Sequence, residues 1–95
     1  MPSIPKLPTL SFNDVLKMCR SRDTSMLMRG IMGDRLFNLF MALDCAQVES
    51  EITCIYLALQ LMEKDGGFQG LENMYASILK EVILQRLELA SIYSY

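Results

Sequence analysis

Histidine is absent from this chain of 95 residues. Its imidazole is the side chain best suited to proton transfer near neutral pH, so its absence removes the commonest general acid–base group in enzymes. The sequence also contains no GxSxG, Walker A, GxGxxG, HExxH or EF-hand spacing. We therefore expect a protein that is not an enzyme, with no catalytic residue and no bound cofactor.

Cysteine is scarce, and its spacing matches no metal-binding or redox pattern. Cys19, Cys45 and Cys54 are odd in number and share no C-x-x-C spacing. Without histidine, a zinc site would need all three thiolates and a carboxylate from distant positions. We therefore predict no metal site and interpret the three cysteines as reduced, small hydrophobic residues of the core.

The sequence also lacks a long apolar run. The longest unbroken one, from Ile55 to Leu59, is far shorter than the ~20 residues that span a bilayer. The N-terminus does not show the basic region, apolar core and small-residue cleavage site of a secretory signal. These absences predict no membrane span and a cytoplasmic location.

Apolar residues are abundant, at 52% of the chain against 21% charged residues, which indicates a folded domain. Their clearest pattern lies between residues 48 and 62, where apolar positions step by four, three, four and three: Val48, Ile52, Ile55, Leu59 and Met62. Leu57, Ala58 and Leu61 widen this stripe. A helix that is apolar over most of its circumference is usually enclosed by others, so we predict that this helix is the central one.

Two helices are predicted before the central one. The first begins after Ser11, which is suited to be its N-cap, and carries Asp14 near the positive end of its dipole. The second covers about residues 25–43, but Gly30 and Gly33 lie inside it. Each glycine costs about 1 kcal/mol relative to alanine in a helix interior. The two glycines are therefore either weak points of one helix or a break.

The central helix is predicted over residues 46–64, with Asp44 and Gln47 at its start resembling a capping box. Gly66 and Gly67 are expected to end it, because glycine readily adopts the left-handed conformation after a helix. A last helix begins at Leu71. These elements predict an all-α, small four-helix bundle-like domain over residues 11–95.

An extended proline-rich arm is predicted over residues 1–10. Pro2, Pro5 and Pro8 recur every third residue, which is the period of polyproline II. Ile4, Leu7 and Leu10 follow the same period and form an apolar edge. Such an arm could lie across its own domain, cover a neighbouring subunit or bind a proline-reading module.

Charge is distributed unevenly along the chain. Residues 1–35 carry six cationic and three acidic side chains, a net charge of +3, whereas residues 36–95 carry three cationic and eight acidic ones, a net charge of −5. The cations of the predicted first loop and its flanks are Lys17, Arg20, Arg22 and Arg29. They could contact an acidic protein partner or phosphate groups, or they could be an ordinary solvated surface.

The remaining signal is a surplus of apolar surface for so small a domain. On the last helix, apolar residues occupy more than one side, and we predict that these contact a partner: Leu71, Tyr75, Ile78, Leu79, Val82, Ile83 and Leu87. Surplus apolar faces in folded domains usually end in a homodimer or a hetero-complex. We therefore expect a non-enzymatic adaptor, chaperone or regulator, and the alternative is a nucleic-acid-associated transcriptional modulator that uses the basic Lys17–Arg29 region.

The hydrophobic pattern resembles that of the small bacterial connector proteins of the YmgB/AriR type. The resemblance covers roughly residues 31–84 and is carried by these positions: Met32-Gly33, Leu36, Leu39, Asp44, Val48, Ile52, Leu59, Met62-Glu63, Ile78-Leu79 and Val82-Ile83. It implies a dimeric all-α regulator that acts on partner proteins, with biofilm or acid-stress roles in that family. The proline-rich arm, the first helix and the longer last helix depart from the family's layout. The size and style of the chain are also similar to small type III secretion chaperones and regulators.

Overall fold

The protein is all-helical in the residues that the structure describes. The structure, a computed structural model, describes the backbone of residues 10–93 and the side chains of residues 10–89. The helices are α1 (Phe12–Arg20), α2 (Ser25–Met32), α3 (Asp34–Cys45), α4 (Glu49–Lys64) and α5 (Leu71–Tyr93). Except for Leu10, the predicted proline-rich arm lies outside the described residues.

The start of α1 agrees with the sequence-based prediction. The Asp14 backbone N–H donates to the Ser11 hydroxyl at 3.2 Å, and the Ser11 N–H donates to the Asp14 carboxylate at 3.4 Å. This reciprocal capping box satisfies two backbone donors that no carbonyl within the helix reaches. In the following turn of α1, Val15 and Leu16 are buried in the core.

The helix predicted over residues 25–43 is interrupted at Gly33. Gly33 has φ +83° and ψ 154°, a combination that is essentially restricted to glycine, and it separates α2 from α3. Gly30 stays inside α2 with ordinary helical geometry. The sequence alone did not distinguish the two glycines. In the structure, only Gly33 adopts a backbone conformation that other residues avoid.

Alanine substitution at these two glycines is expected to have opposite effects on stability. A Cβ atom at either position meets no atom within 4 Å, so steric clash plays no part. Gly33→Ala should lower the free energy of unfolding by about 1–3 kcal/mol because of its φ. Gly30→Ala should raise it by up to about 1 kcal/mol, because alanine loses less entropy in a helix. Urea denaturation of both variants measures the difference, and equal effects would contradict the break at Gly33.

The core lies where α3 meets α1, α2 and α5. Phe40 on α3 is fully buried and stacks on Phe12 of α1, with ring centroids 5.6 Å apart. The Arg86 guanidinium of α5 lies 5.5 Å from the Phe12 ring centroid and donates to the Leu43 carbonyl at 3.1 Å. The Leu43 carbonyl, in the last turn of α3, also accepts the Ala46 N–H at 3.3 Å, so Arg86 adds a second hydrogen bond to it. A single cationic side chain thus connects α5 to both α1 and α3.

The prediction that residues 48–62 form the central helix is wrong. α4 packs only on α3 and α5, whereas α3 and α5 each contact all four other helices. Of the residues in α4, Ile55 and Leu59 are buried, and Leu61 is 67% exposed. α4 is therefore an outer helix whose second apolar side faces away from the core.

The predicted start of α4 also needs correction. Its N-cap is Val48, which makes no side-chain cap hydrogen bond, and Asp44 instead pairs with Arg20 of α1. The Gln47 N–H donates to the Glu51 carboxylate at 3.3 Å. At its other end α4 stops at Lys64, before Gly66 with φ +101°, so the predicted termination is confirmed.

None of the described helices is both long enough and apolar enough to cross a membrane. The longest of them, α5 with 23 residues, is interrupted by charged side chains along its length: Glu72, Lys80, Glu81, Arg86 and Glu88.

Candidate functional site

The most unusual surface of the molecule is the outward side of α4. Cys54, Leu57 and Leu61 lie one helical turn apart and are all exposed, with Leu57 at 52% and Leu61 at 67%. We call these three residues the outer stripe. Because successive residues of a helix are rotated by about 100°, Leu57 and Leu61 project almost opposite to the buried Leu59. α4 is thus apolar on two opposite sides, and its own domain covers one of them.

The partner-contacting residues that the sequence predicted on α5 do not form one exposed face. Three of them belong to the chain's own core: Tyr75 is 6% exposed, and Leu79 and Ile83 are fully buried. For these three, the prediction of a partner contact is wrong, because they fill the space between α5 and the other helices. Leu71 is exposed, while the rest are half-buried against the core: Ile78, Val82 and Leu87.

Exposed apolar side chains also occur away from α4, including Leu84 and Leu89 on α5. Met26 and Leu27 on α2 are 82% and 61% exposed, and Leu71 and Met74 at the start of α5 are 60% and 40% exposed. None of the described polar or charged side chains is buried. Large apolar side chains are thus exposed on α2, α4 and α5, and the predicted surplus of apolar surface stays a prediction.

The four predicted cations do not gather into one free basic surface. The Arg20 side chain forms a two-point ion pair with Asp44, in which Nε lies 3.1 Å from Oδ2. Arg29 lies 4.2 Å above the Phe37 ring centroid and 3.5 Å from the Asp34 carboxylate. Lys17 and Arg22 are exposed. Phosphate or nucleic-acid binding by this region stays a prediction.

The Arg20–Asp44 pair ties the end of α1 to the end of α3. The hydrogen bonds from Arg20 lower the pKa of Asp44 below its ordinary value. A carboxyl whose pKa is lower in the folded state binds fewer protons there than in the unfolded chain. Its contribution to stability is therefore fully present above the unfolded-state pKa of about 4, and it is lost as the pH falls through the lower folded-state value.

Asp44→Asn is expected to reduce stability at neutral pH by a small amount, since the pair is exposed to solvent. The reduction should shrink as the pH falls below about 4, because the wild-type carboxyl then becomes protonated too. Urea midpoints of the two proteins at neutral and at acidic pH measure this. Asp23→Asn, in the exposed turn after α1, is the matched control. A difference between wild type and Asp44→Asn that is the same at both pH values would contradict the role of the pair.

The cysteines are not all core residues as predicted. Cys19 is buried, and its burial raises the pKa of its thiol. Cys45 and Cys54 are exposed, so the core interpretation is wrong for both. In the part of the chain with described side chains, no group of three or more histidine, cysteine or acidic residues is placed to hold a metal ion.

Two depressions on the surface of the described residues are large enough to consider as binding sites. One, of about 220 Å³, lies between the α2–α3 junction and the α4–α5 loop and is lined by Asp34, Arg35 and Glu72 among others. It is smaller than the cavities that usually hold small molecules. The other, of about 450 Å³, is a shallow groove between the start of α1 and α5, lined by Leu10, Phe12, Ile78, Val82 and Arg86 among others.

Comparison of the chain with family models, curated proteins and solved structures finds no match. The resemblance to connector proteins of the YmgB/AriR type and the similarity to small secretion chaperones therefore stay predictions.

The outer stripe was missed as a site although its residues were recognised as apolar. Leu57, Ala58 and Leu61 were interpreted as widening the core stripe of a central helix. The sequence does contain a pattern that distinguishes the two sides of this helix. Cys54, Leu57 and Leu61 repeat the spacing of the core residues, but on the opposite side. Two stripes on opposite sides predict two different neighbours, and the described residues supply only one of them.

Proposed function

We propose that this chain is a non-enzymatic protein–protein interaction module, a small helical adaptor, chaperone or regulator that acts as a homodimer or in a complex. The observation that carries the proposal is the outer stripe of α4, defined by Cys54, Leu57 and Leu61. A stable domain gains nothing by exposing two leucines in register on one helix face. A second protein surface gains by covering them.

The expected gain is moderate. Burial of a leucine side chain contributes about 1.5–3 kcal/mol when it is complete, and the stripe leucines are already partly covered. Association costs at least about 4 kcal/mol in lost translational and rotational freedom. The stripe alone therefore supports a reversible association in which flanking residues take part, and micromolar affinity is on the order expected.

The test is the oligomeric state of the purified protein. We expect a mass above the 10.8 kDa of one chain, rising with concentration. Leu57→Ser combined with Leu61→Ser should return the protein to one chain's mass while it keeps its helical signal and a cooperative melt, because both side chains are exposed. Light scattering behind a sizing column measures the mass, and circular dichroism measures the melt.

A matched control changes two exposed apolar residues elsewhere. Met26→Ser with Leu27→Ser removes comparable surface from α2 and should leave the association unchanged. A wild-type protein that stays at one chain's mass over the whole concentration range would remove the support for self-association. A loss of association in the control alone would move the site to α2.

A further inference from the structure

The groove between the start of α1 and one side of α5 takes no part in the proposed function. Its volume of about 450 Å³ is within the range of cavities that bind ligands. One wall is a single face of α5, which contributes Ile78, Glu81, Val82, Gln85 and Arg86. Ile78 and Val82 are half-buried and pack against the core, so they give the groove an apolar floor. We call this feature the α1–α5 groove.

Leu10 lines the α1–α5 groove although it precedes the first residue of α1. It is half-buried and packs against the core. The chain that precedes Leu10 therefore starts from the groove itself. A segment that is tethered at its binding site loses little of the translational freedom that a free peptide would lose on association.

The predicted polyproline II period divides residues 2–10 into three edges. Ile4 and Leu7 share an edge with Leu10, while the prolines and the polar residues each form another edge. Because Leu10 packs against the core, this apolar edge directs Leu7 towards the groove floor when the segment continues along the groove. The prolines also suit such a position, since they carry no N–H that would need a partner inside the groove.

Reach decides which residue of the segment enters the groove. Leu7 is three residues from Leu10, about 9 Å away in polyproline II and at most about 11 Å away in any extended chain. The groove follows α5 from Ile78 to Arg86, which is about 12 Å along the helix axis. Leu7 therefore stays within the length of the groove. Ile4, about 19 Å from Leu10 in polyproline II, lies beyond it.

The charges of the groove are compatible with this segment. Lys6 is the one charged side chain of residues 1–9. Glu81 is exposed and forms no ion pair among the described residues. Arg86, the other charged residue of the groove, is half-buried and donates to the Leu43 carbonyl. An exposed ion pair between Lys6 and Glu81 would add little, so the apolar contact of Leu7 carries the inference.

We infer that the α1–α5 groove binds residues 6–9 of its own chain, with Leu7 on the floor formed by Ile78 and Val82. The occupant is the same molecule because Leu10 already starts the segment in the groove and three further residues are enough to reach the floor. The groove contains no residue of α4, so the inference is independent of the outer stripe and goes beyond the proposed function. The bound segment would form a strap that connects the start of α1 to α5.

The rate of thiol labelling at the groove tests this contact in the full chain. Glu81→Cys in a Cys45→Ser/Cys54→Ser background places one accessible thiol beside the groove floor, because Cys19 is buried. The rate at which a bulky maleimide modifies this thiol reports how often the groove is open. Adding Leu7→Ser should raise the rate at least about fivefold, since it removes the apolar side chain that holds the segment. An unchanged rate would overturn the inference.

Two matched controls separate this contact from a general loosening of the fold. Ile4→Ser makes the same kind of change on the same edge but beyond the groove, so it should leave the rate at residue 81 within about twofold. In the Cys45→Ser protein the accessible thiol is Cys54 on α4, and Leu7→Ser should not change its rate. An equal rise in the rate at Cys54, or an equal effect of Ile4→Ser at residue 81, would overturn the placement of Leu7 in the groove.

Protein concentration distinguishes the chain's own segment from that of a second copy. A contact within one molecule gives a labelling rate at residue 81 that does not change with concentration. A rate that falls as the concentration rises would assign the occupant to a second copy and overturn the inference. The measurement is repeated with Leu57→Ser/Leu61→Ser, the variant that tests the proposed function. Leu7→Ser should have the same effect in that background, so either idea can fail without the other.

Discussion

Leu59→Asp is expected to unfold the protein, whereas Leu61→Asp, two positions along the same helix, is expected to leave it folded. Leu59 is 1% exposed and Leu61 is 67% exposed. An unpaired carboxylate in the position of Leu59 would lose its hydration without gaining a partner, which costs several kcal/mol in addition to the lost leucine packing. The total stability of a domain of this size is about 5–15 kcal/mol.

Circular dichroism and thermal melting compare the two variants directly. We expect Leu59→Asp to lose most of its helical signal and its cooperative melt, and Leu61→Asp to keep both. Leu61→Asp should nevertheless weaken association through the outer stripe, since it places a charge in an apolar contact. A folded Leu59→Asp would mean that α4 does not pack on α3 and α5 through this residue.

Phe40→Ala is expected to lower the free energy of unfolding by about 3–5 kcal/mol. Phe40 is fully buried and stacks on Phe12, so its removal leaves a cavity where α3 meets α1. The stacked pair contributes about 0.5–1.5 kcal/mol beyond the buried area, which truncation also removes. Phe40→Leu keeps most of the volume and should cost clearly less.

Urea denaturation at a low and constant protein concentration measures the Phe40 variants, because any dimer adds a concentration-dependent term to the apparent stability. Asn38→Ala, at an exposed position of the same helix, is the control and should stay within about 0.5 kcal/mol of the wild type. Equal losses for Phe40→Ala and Asn38→Ala would contradict a core centred on α3.

The local elements of this fold were predictable from short-range patterns. The N-cap at Ser11, the end of α4 before Gly66 and the start of α5 at Leu71 all agree with the sequence-based predictions. Each depends on backbone hydrogen bonds and glycine conformations that residues within one or two turns decide.

The candidate site was harder to predict, because apolar spacing does not say which side of a helix meets the core. On α5 the pattern suggested a broad partner-contacting face, but Tyr75, Leu79 and Ile83 are needed inside. On α4 the pattern assigned Leu57 and Leu61 to the core stripe, although both side chains face outward. Both errors arise because the hydrophobic effect is non-directional. An apolar pattern indicates that residues favour burial, but it does not indicate what buries them.

The sequence by itself determined that the described residues are all-α, that α1 and α5 begin after Ser11 and at Leu71, and that α4 ends before Gly66. These properties follow from backbone geometry and composition, which are local or summed over the chain. Only the tertiary structure decided that α3 and α5 are the helices that contact all others, that Gly33 rather than Gly30 breaks the second helix, and that α4 lies outside with Leu57 and Leu61 exposed. These features depend on how the five helices pack together. The core is close-packed and has limited space, so apolar residues that do not fit into it face outward.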